Sequence, residues 1–114
     1  MRFMLLIHED EAGFQTVPEN KIAEIMEEYG YLTGALKNSG GYVSSGRLRP
    51  TTSATGVRIR NGKTMLTDGP FAETKEQLGG YYLIDVKGLD EALQWAAKVP
   101  SARWGSIEVR PLWE

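Results

Sequence analysis

Phe3-Met4-Leu5-Leu6-Ile7, near the start of the chain, is a dense apolar run without helical spacing or helix caps. Such a run is typical of a buried β-strand that is covered on both faces. Alternate side chains of a strand point to opposite sides, so Met4 and Leu6 face away from Phe3, Leu5 and Ile7. The sequence therefore predicts a strand of which both faces need cover.

A helix and a second strand follow this run. Thr16-Val17-Pro18-Glu19 has the hydroxyl residue and the acid three positions later that form a capping box. Asn38-Ser39-Gly40-Gly41 is a typical helix end, and Tyr42 to Leu48 has the composition of a strand. Between the two helix signals, apolar or aromatic residues recur at helical spacing, at Ile22, Ile25, Met26, Tyr29, Leu32 and Leu36.

The second half of the chain predicts a hairpin, a strand, a helix and a last strand. Val57 to Arg60 and Lys63 to Thr67 flank Asn61-Gly62, and both turn residues tolerate positive φ, as a tight hairpin requires. Tyr81 to Val86 alternates like a strand, and Ser106 to Leu112 is the final strand. Between them lies a second helical stripe that ends before a proline, formed by Leu89, Ala92, Leu93 and Ala96.

The predicted order is strand, helix, strand, hairpin, strand, helix, strand. This is an α+β, ferredoxin-like plan with an inserted β-hairpin. Two helices suffice to cover one face of a four-stranded sheet, which leaves the Met4 and Leu6 side without cover. We expect a second copy to bury that face at roughly 25 cal/mol per Å² of apolar area, so the sequence predicts a homodimer with a cavity between the two sheets.

Composition limits the function classes. The chain has 114 residues, 41% of them hydrophobic, and no shift in composition divides it, so we expect a single domain over residues 1–114. The absence of cysteine excludes disulfides and thiolate metal sites, and the first apolar run is too short for a signal peptide, which favours a cytoplasmic protein. The same run is too short to span a membrane, and a net charge of -2 without a basic stripe argues against a nucleic-acid partner.

The segment between the hairpin and the next strand, Thr67-Asp68-Gly69-Pro70-Phe71-Ala72-Glu73-Thr74-Lys75-Glu76-Gln77-Leu78-Gly79-Gly80, predicts a stiff loop. Pro70 fixes its own φ and keeps Gly69 out of the helical region. Asp68 can accept hydrogen bonds from the N–H groups that follow it, and Phe71 can anchor the loop on the body of the protein.

This loop resembles the signature of the DGPF-domain branch of the YCII-related family. The resemblance extends to Met4-Leu5-Leu6-Ile7, to the strand that contains Gly46 and to Ile107-Glu108-Val109-Arg110-Pro111. It implies a ferredoxin-like dimer of the dimeric α+β barrel group. Genes of this branch often lie near genes for extracytoplasmic-function sigma factors, which implies a link to transcription regulation.

Some YCII-type relatives carry a His/Asp pair that has been proposed to be catalytic. In this chain Tyr29 falls at the position of that histidine, and Lys98-Val99-Pro100 falls where the aspartate would precede a proline. The pair is therefore absent here, and its mechanism cannot be carried over.

His8 and Asp68 are the candidate catalytic residues. His8 is the only histidine, and an unperturbed imidazole titrates near neutral pH, so it can act as a general base. Its alternative role is a structural hydrogen bond at a strand end. The stiff turn would hold the Asp68 carboxylate in place for catalysis or binding, unless the carboxylate only closes the turn.

The candidate ligand-binding residues are Tyr29, Arg47, Phe71 and Arg110. Tyr29 can line a cavity or belong to the core, and Arg47 can bind a carboxylate or phosphate or belong to a solvated charge row. Arg110 can enter the inter-subunit cavity beside Asp85 or Glu108, where one ion pair would satisfy it. No pattern indicates a metal site or a cofactor.

These observations lead to alternative functions. The first hypothesis is a small-molecule enzyme that uses acid/base chemistry in a cavity at the homodimer interface. The second is a non-catalytic ligand- or partner-binding module, linked to sigma-factor-type regulation, in which the loop is a docking surface. A third makes the loop purely architectural.

Overall fold

The computed structural model describes the whole chain, residues 1–114, as a mixed α+β architecture with antiparallel sheets, which confirms the predicted class. Two short 3₁₀ turns span Thr51–Ser53 and Pro100–Arg103. The elements in chain order are β1 (Arg2–Glu9), α1 (Glu11–Phe14), α2 (Glu19–Ser39), β2 (Tyr42–Arg47), β3 (Thr55–Arg60), β4 (Lys63–Asp68), β5 (Gln77–Asp85), α3 (Leu89–Ala97) and β6 (Ser106–Pro111).

The main sheet has the strand order β2-β5-β1-β6, and every neighbouring pair is antiparallel. The apolar run at the start of the chain is therefore a central strand, as its composition predicts. Phe3, Leu5 and Ile7 are buried, whereas Met4 and Leu6 between them are only partly buried. This alternation confirms that the two sets of side chains lie on opposite faces.

Helices α2 and α3 cover one face of the sheet. The buried side chains of that side form one cluster: Phe3, Leu5, Ile7, Leu32, Leu36, Tyr82, Ile84, Val86, Ala92, Ala96 and Val99. We call the other side the open face and define it by Met4, Leu6, His8, Tyr81, Leu83, Glu108 and Arg110, which the strand register places together. The single chain leaves this face partly exposed.

The start of the long helix differs from the capping box that the sequence predicts. The Thr16 hydroxyl donates to the Gly13 carbonyl (2.7 Å), and Pro18 occupies the N-cap position without a side-chain cap. Thr16 is diverted because an unpredicted short helix, α1, precedes α2 and is capped by Asp10. The predicted end is confirmed, since Gly40 has a φ of 81° at the C-cap. No helix of the chain has both the length and the hydropathy to cross a membrane.

The predicted hairpin is confirmed, with positive φ at Asn61 (51°) and Gly62 (75°). Strands β3 and β4 form a separate two-stranded sheet outside the main ladder. Beyond it, the Gly69 N–H donates to the Ala54 carbonyl (2.7 Å), so a backbone bond ties the turn to the hairpin base. Phe71 is 81% exposed, and the expectation that it anchors the loop on its own subunit is wrong.

Candidate functional site

A cavity of about 180 Å³ lies inside the single subunit, between α2 and the helix-covered face of the sheet. The sequence predicts a cavity only between two sheets of a dimer, so this location is unforeseen. Four apolar side chains form much of its wall, namely Ile7, Phe14, Ile25 and Met26. Phe14 comes from α1, so the unpredicted helix closes one side of the cavity.

Glycines bring the strands close together beneath the cavity. A Cβ atom on Gly80 would lie 2.8 Å from the carbonyl oxygen of Gly46, and one on Gly46 would lie 2.9 Å from the Tyr81 ring. Both contacts are shorter than van der Waals packing allows, so β2 and β5 need glycine here. Gly79 and Gly80 are the last residues of the segment from Thr67 to Gly80. The end of that segment therefore reaches the cavity, while its Asp68-Gly69-Pro70-Phe71 turn does not.

Tyr29 and Ser101 form a hydrogen-bonded pair of hydroxyls at the cavity, 2.5 Å apart. Ser101 is only 1% exposed, and the 3₁₀ turn that follows α3 holds it in place. The Tyr29 ring stacks on Tyr82 with 6.5 Å between the ring centroids. The Thr33 hydroxyl lies 2.8 Å from the Tyr82 hydroxyl and donates to the Tyr29 carbonyl, so the two rings are held as a unit.

Burial raises the pKa of Tyr29 above its ordinary value of 10.0, and the negative charge of Glu9 adds to this effect. The hydrogen bond from Ser101 acts in the opposite direction but does not cancel the rise. Burial also raises the pKa of Tyr82. Tyr29 therefore stays protonated at neutral pH and can donate a proton or a hydrogen bond to a molecule in the cavity.

Glu9 places a carboxylate at the same cavity. One of its oxygens accepts a hydrogen bond from the Trp104 indole N–H (2.7 Å). This contact fixes the side chain and leaves its other oxygen, Oε1, near the cavity floor, 3.5 Å from where a Cβ of Gly79 would stand. A neutral phenol and a carboxylate thus line one small space.

Arg47 stands at the mouth of the cavity, where an outer groove begins that also contains Arg49. The groove shares Glu9, Phe14, Arg47 and Gly79 with the cavity, so the two are continuous. The Arg47 guanidinium approaches the Met26 sulfur at 3.8 Å and takes part in none of the ion pairs of the chain.

His8 and Arg110 lie on the open face rather than at the cavity. Nε2 of His8 is 3.4 Å from a Glu108 carboxylate oxygen, and Nε of Arg110 is 3.8 Å from the other oxygen of the same carboxylate. The expected pairing of Arg110 with Glu108 is present. His8 also lines a shallow depression together with Glu76 and Ser106.

Asp68, at the end of the hairpin, and Phe71, in the loop after it, are both exposed. Neither residue lines the cavity under α2 or the depression beside His8. The structure thus brings Tyr29 and Arg47 together at one cavity and leaves the other four candidates elsewhere. In particular, His8 and Asp68 do not meet, because Asp68 ends a strand of the separate hairpin sheet.

Glu9 and Ser101 are the site residues that the sequence reasoning missed. The signal for Glu9 was present, since strand alternation places it on the Ile7 side of β1. Ser101 has no comparable signal, because only the packing of the turn after α3 against α2 brings it to Tyr29. No group of three or more His, Asp and Glu side chains is arranged to hold a metal ion.

Comparison with known proteins gives two matches. The family model of the YCII-related domain matches residues 1–114 of this chain. An uncharacterized protein of Rhizobium meliloti (strain 1021) is 40% identical over an alignment 114 residues long. This alignment includes 98% of this chain and 92% of that protein.

Proposed function

This chain belongs to the YCII-related family, and we propose that it is a small-molecule enzyme whose site is the cavity between α2 and the sheet. The observation that carries the proposal is the hydroxyl pair of Tyr29 and Ser101 facing a cavity that also contains the Glu9 carboxylate. A concave, mostly apolar space with a few converging polar groups is the usual form of a small-molecule site.

The chemistry that these groups support is proton transfer. Tyr29 is the donor, because its hydroxyl lies at the cavity and carries its proton at neutral pH. Glu9 is the proton acceptor, and Ser101 orients the Tyr29 hydroxyl through their hydrogen bond. This assignment keeps the acid/base hypothesis and replaces His8 and Asp68 with Tyr29 and Glu9.

The location of the site can be tested by filling the cavity. We expect Met26→Trp to abolish the stabilisation of the protein by single-ring compounds such as benzene, as measured by thermal unfolding. Met65→Trp on the exposed strand β4 is the matched control and should respond like the wild type. Ile25→Phe is a second filling variant in case the first fails to fold. Equal responses of the filled variants and the wild type would place the site elsewhere.

The assembly that we propose is a homodimer that packs the two open faces together as a ferredoxin-like, dimeric α+β barrel. Two observations support it. The strand order β2-β5-β1-β6, with both long helices on one side, is the order of that plan. The chain exposes 8105 Å², whereas a compact monomer of its mass exposes about 6,200 Å². The excess, to which the protruding hairpin also contributes, is larger than the ~800 Å² that each partner buries in a standard interface.

A partner-binding module is the second candidate, favoured by apolar side chains that protrude from the hairpin and the loop. The most exposed of them are Val57, Ile59, Leu66 and Phe71, at 63 to 81%. A link to a sigma factor rests on the family resemblance alone. A purified extracytoplasmic-function sigma factor should then bind the wild type but not the Phe71→Ala or Leu66→Ser variant. Equal binding to the wild type and both variants, or binding to none of the three proteins, would count against this candidate.

A further inference from the structure

We propose that the cavity takes a small organic anion, a carboxylate with a body the size of a single ring, whose carboxylate group binds Arg47. This inference rests on the proposed function, because it names the ligand class of the same site. Three features carry it: the size of the cavity, the apolar character of its wall and the state of the charges at its mouth.

The size of the cavity limits the ligand. Its volume is about 180 Å³, and a closed apolar cavity of about 150 Å³ is known to hold one benzene molecule. One six-membered ring, or an aliphatic body of similar volume, therefore fits under α2. A nucleotide or an acyl chain of many carbons does not.

The wall of the cavity selects an apolar body. Ile7, Ile25 and Met26 surround the space, and Phe14 closes it. Water that lies against these four side chains finds no hydrogen-bond partner in them, so a ring gains from replacing it. The Tyr29 hydroxyl is the inner polar contact and suits one oxygen atom on the ligand.

The charges at the mouth select an anion. Both carboxylates there already accept hydrogen bonds from the chain: Glu9 from the Trp104 indole, and Glu11 from the N–H and hydroxyl of Thr51, at 2.7 Å each. The Arg47 guanidinium donates only to the Met26 sulfur (3.8 Å), and neither Arg47 nor Arg49 belongs to an ion pair. The guanidinium donors beside the cavity are therefore free to bind an anion, whereas both carboxylates already accept hydrogen bonds.

A guanidinium favours a carboxylate in this position. Its planar fork can donate two parallel hydrogen bonds to the two oxygens of a carboxylate. Arg47 is well placed to do so, because it lines the cavity and the outer groove at once. A ligand can thus insert its ring under α2 and leave its carboxylate at the mouth.

The experiment compares benzoate with its neutral analogue benzamide, using isothermal titration calorimetry on the full-length protein. Because a charge-assisted hydrogen bond is stronger than a neutral one, we expect benzoate to bind about tenfold more tightly at low salt. Arg47→Gln should remove this difference. Arg60→Gln is the matched control, because the Arg60 side chain bonds only to the Ile59 carbonyl on the hairpin, and it should keep the difference.

The outcomes separate this inference from the proposed function. Equal binding of benzoate and benzamide, or an unchanged preference in Arg47→Gln, would refute an anionic ligand bound by Arg47. The cavity would still be the proposed site. Tighter binding of phenyl phosphate than of benzoate would show that the ligand is a phosphate ester and not a carboxylate. If neither benzene nor any of the other probes binds, both this inference and the proposed site are wrong.

Discussion

The hydroxyl groups of Tyr29 and Ser101 lie 2.5 Å apart, although 72 positions separate the two residues in the chain. Tyr29 comes from the middle of α2 and Ser101 from the turn after α3, so this contact ties the two helical segments together above the sheet. Because Ser101 is almost fully buried, its hydroxyl depends on Tyr29 for a hydrogen bond.

Removing one partner of this pair should destabilise the protein. We expect Ser101→Ala to lower the free energy of unfolding by about 1–3 kcal/mol, because it leaves the partly buried Tyr29 hydroxyl without its partner. Urea titration of the wild type, both single variants and the Ser101→Ala/Tyr29→Phe double variant measures the coupling. Additive effects of the two substitutions would mean that the hydrogen bond contributes nothing to stability.

The raised pKa values of Tyr29 and Tyr82 predict a loss of stability at high pH. Above the ordinary tyrosine pKa of 10.0, the unfolded chain releases these protons while the folded chain still holds them. Unfolding is then favoured, so the stability present below pH 10.0 falls until the pH exceeds the folded-state pKa values. Urea unfolding on both sides of this pH measures the effect, and Tyr29→Phe should weaken the dependence. The exposed Tyr31 gives the control, since Tyr31→Phe should leave it unchanged.

Local patterns predicted the parts of this structure that depend on local physics. Alternation in Phe3 to Ile7 correctly gave a strand with two different faces, and Asn61-Gly62 correctly gave a tight hairpin. Thr16 shows where such patterns fail, because the capping-box spacing is present but α1 draws its hydroxyl to Gly13. Helix α1 was not predicted, because its four residues are too few to show a helical periodicity.

The candidate site was only partly predictable for the same reason. Tyr29 and Arg47 were identified by residue type, and both line the cavity. Their meeting with Glu9 and Ser101 depends on how the turn after α3 packs against α2, which no spacing within one element encodes. Asp68 was singled out for the stiffness of its turn, but a stiff turn on a protruding hairpin does not bring its carboxylate to the cavity.

Two glycine substitutions, one where β2 and β5 approach each other and one on α2, should change the free energy of unfolding in opposite directions. Gly80→Ala would place a methyl group 2.8 Å from the Gly46 carbonyl oxygen. Because this oxygen belongs to the backbone and a Cβ atom has no rotamer by which to avoid it, the strands must move apart. We expect a loss of about 1–3 kcal/mol, as for other overpacked sites. Gly34→Ala in α2 meets nothing within 4 Å, so it should gain about 0.5–1 kcal/mol from helix propensity. Chemical denaturation of both variants checks the sign, and an equally stable Gly80→Ala would mean that the strands are free to separate.

The open face predicts that a charge in its centre will prevent self-association. Leu6 lies on the central strand β1 between Met4 and His8 and is partly buried even in the single chain. A carboxylate at this position would have to be buried in a sheet-to-sheet dimer directly opposite the Glu108 carboxylate, which is costly. We expect the wild type to sediment as a dimer at micromolar concentration and Leu6→Asp as a folded monomer. Leu66→Asp on the exposed hairpin strand β4 controls for the added charge and should remain dimeric. A monomeric wild type would refute the proposed dimer, and a monomeric Leu66→Asp would move the interface from the open face to the hairpin.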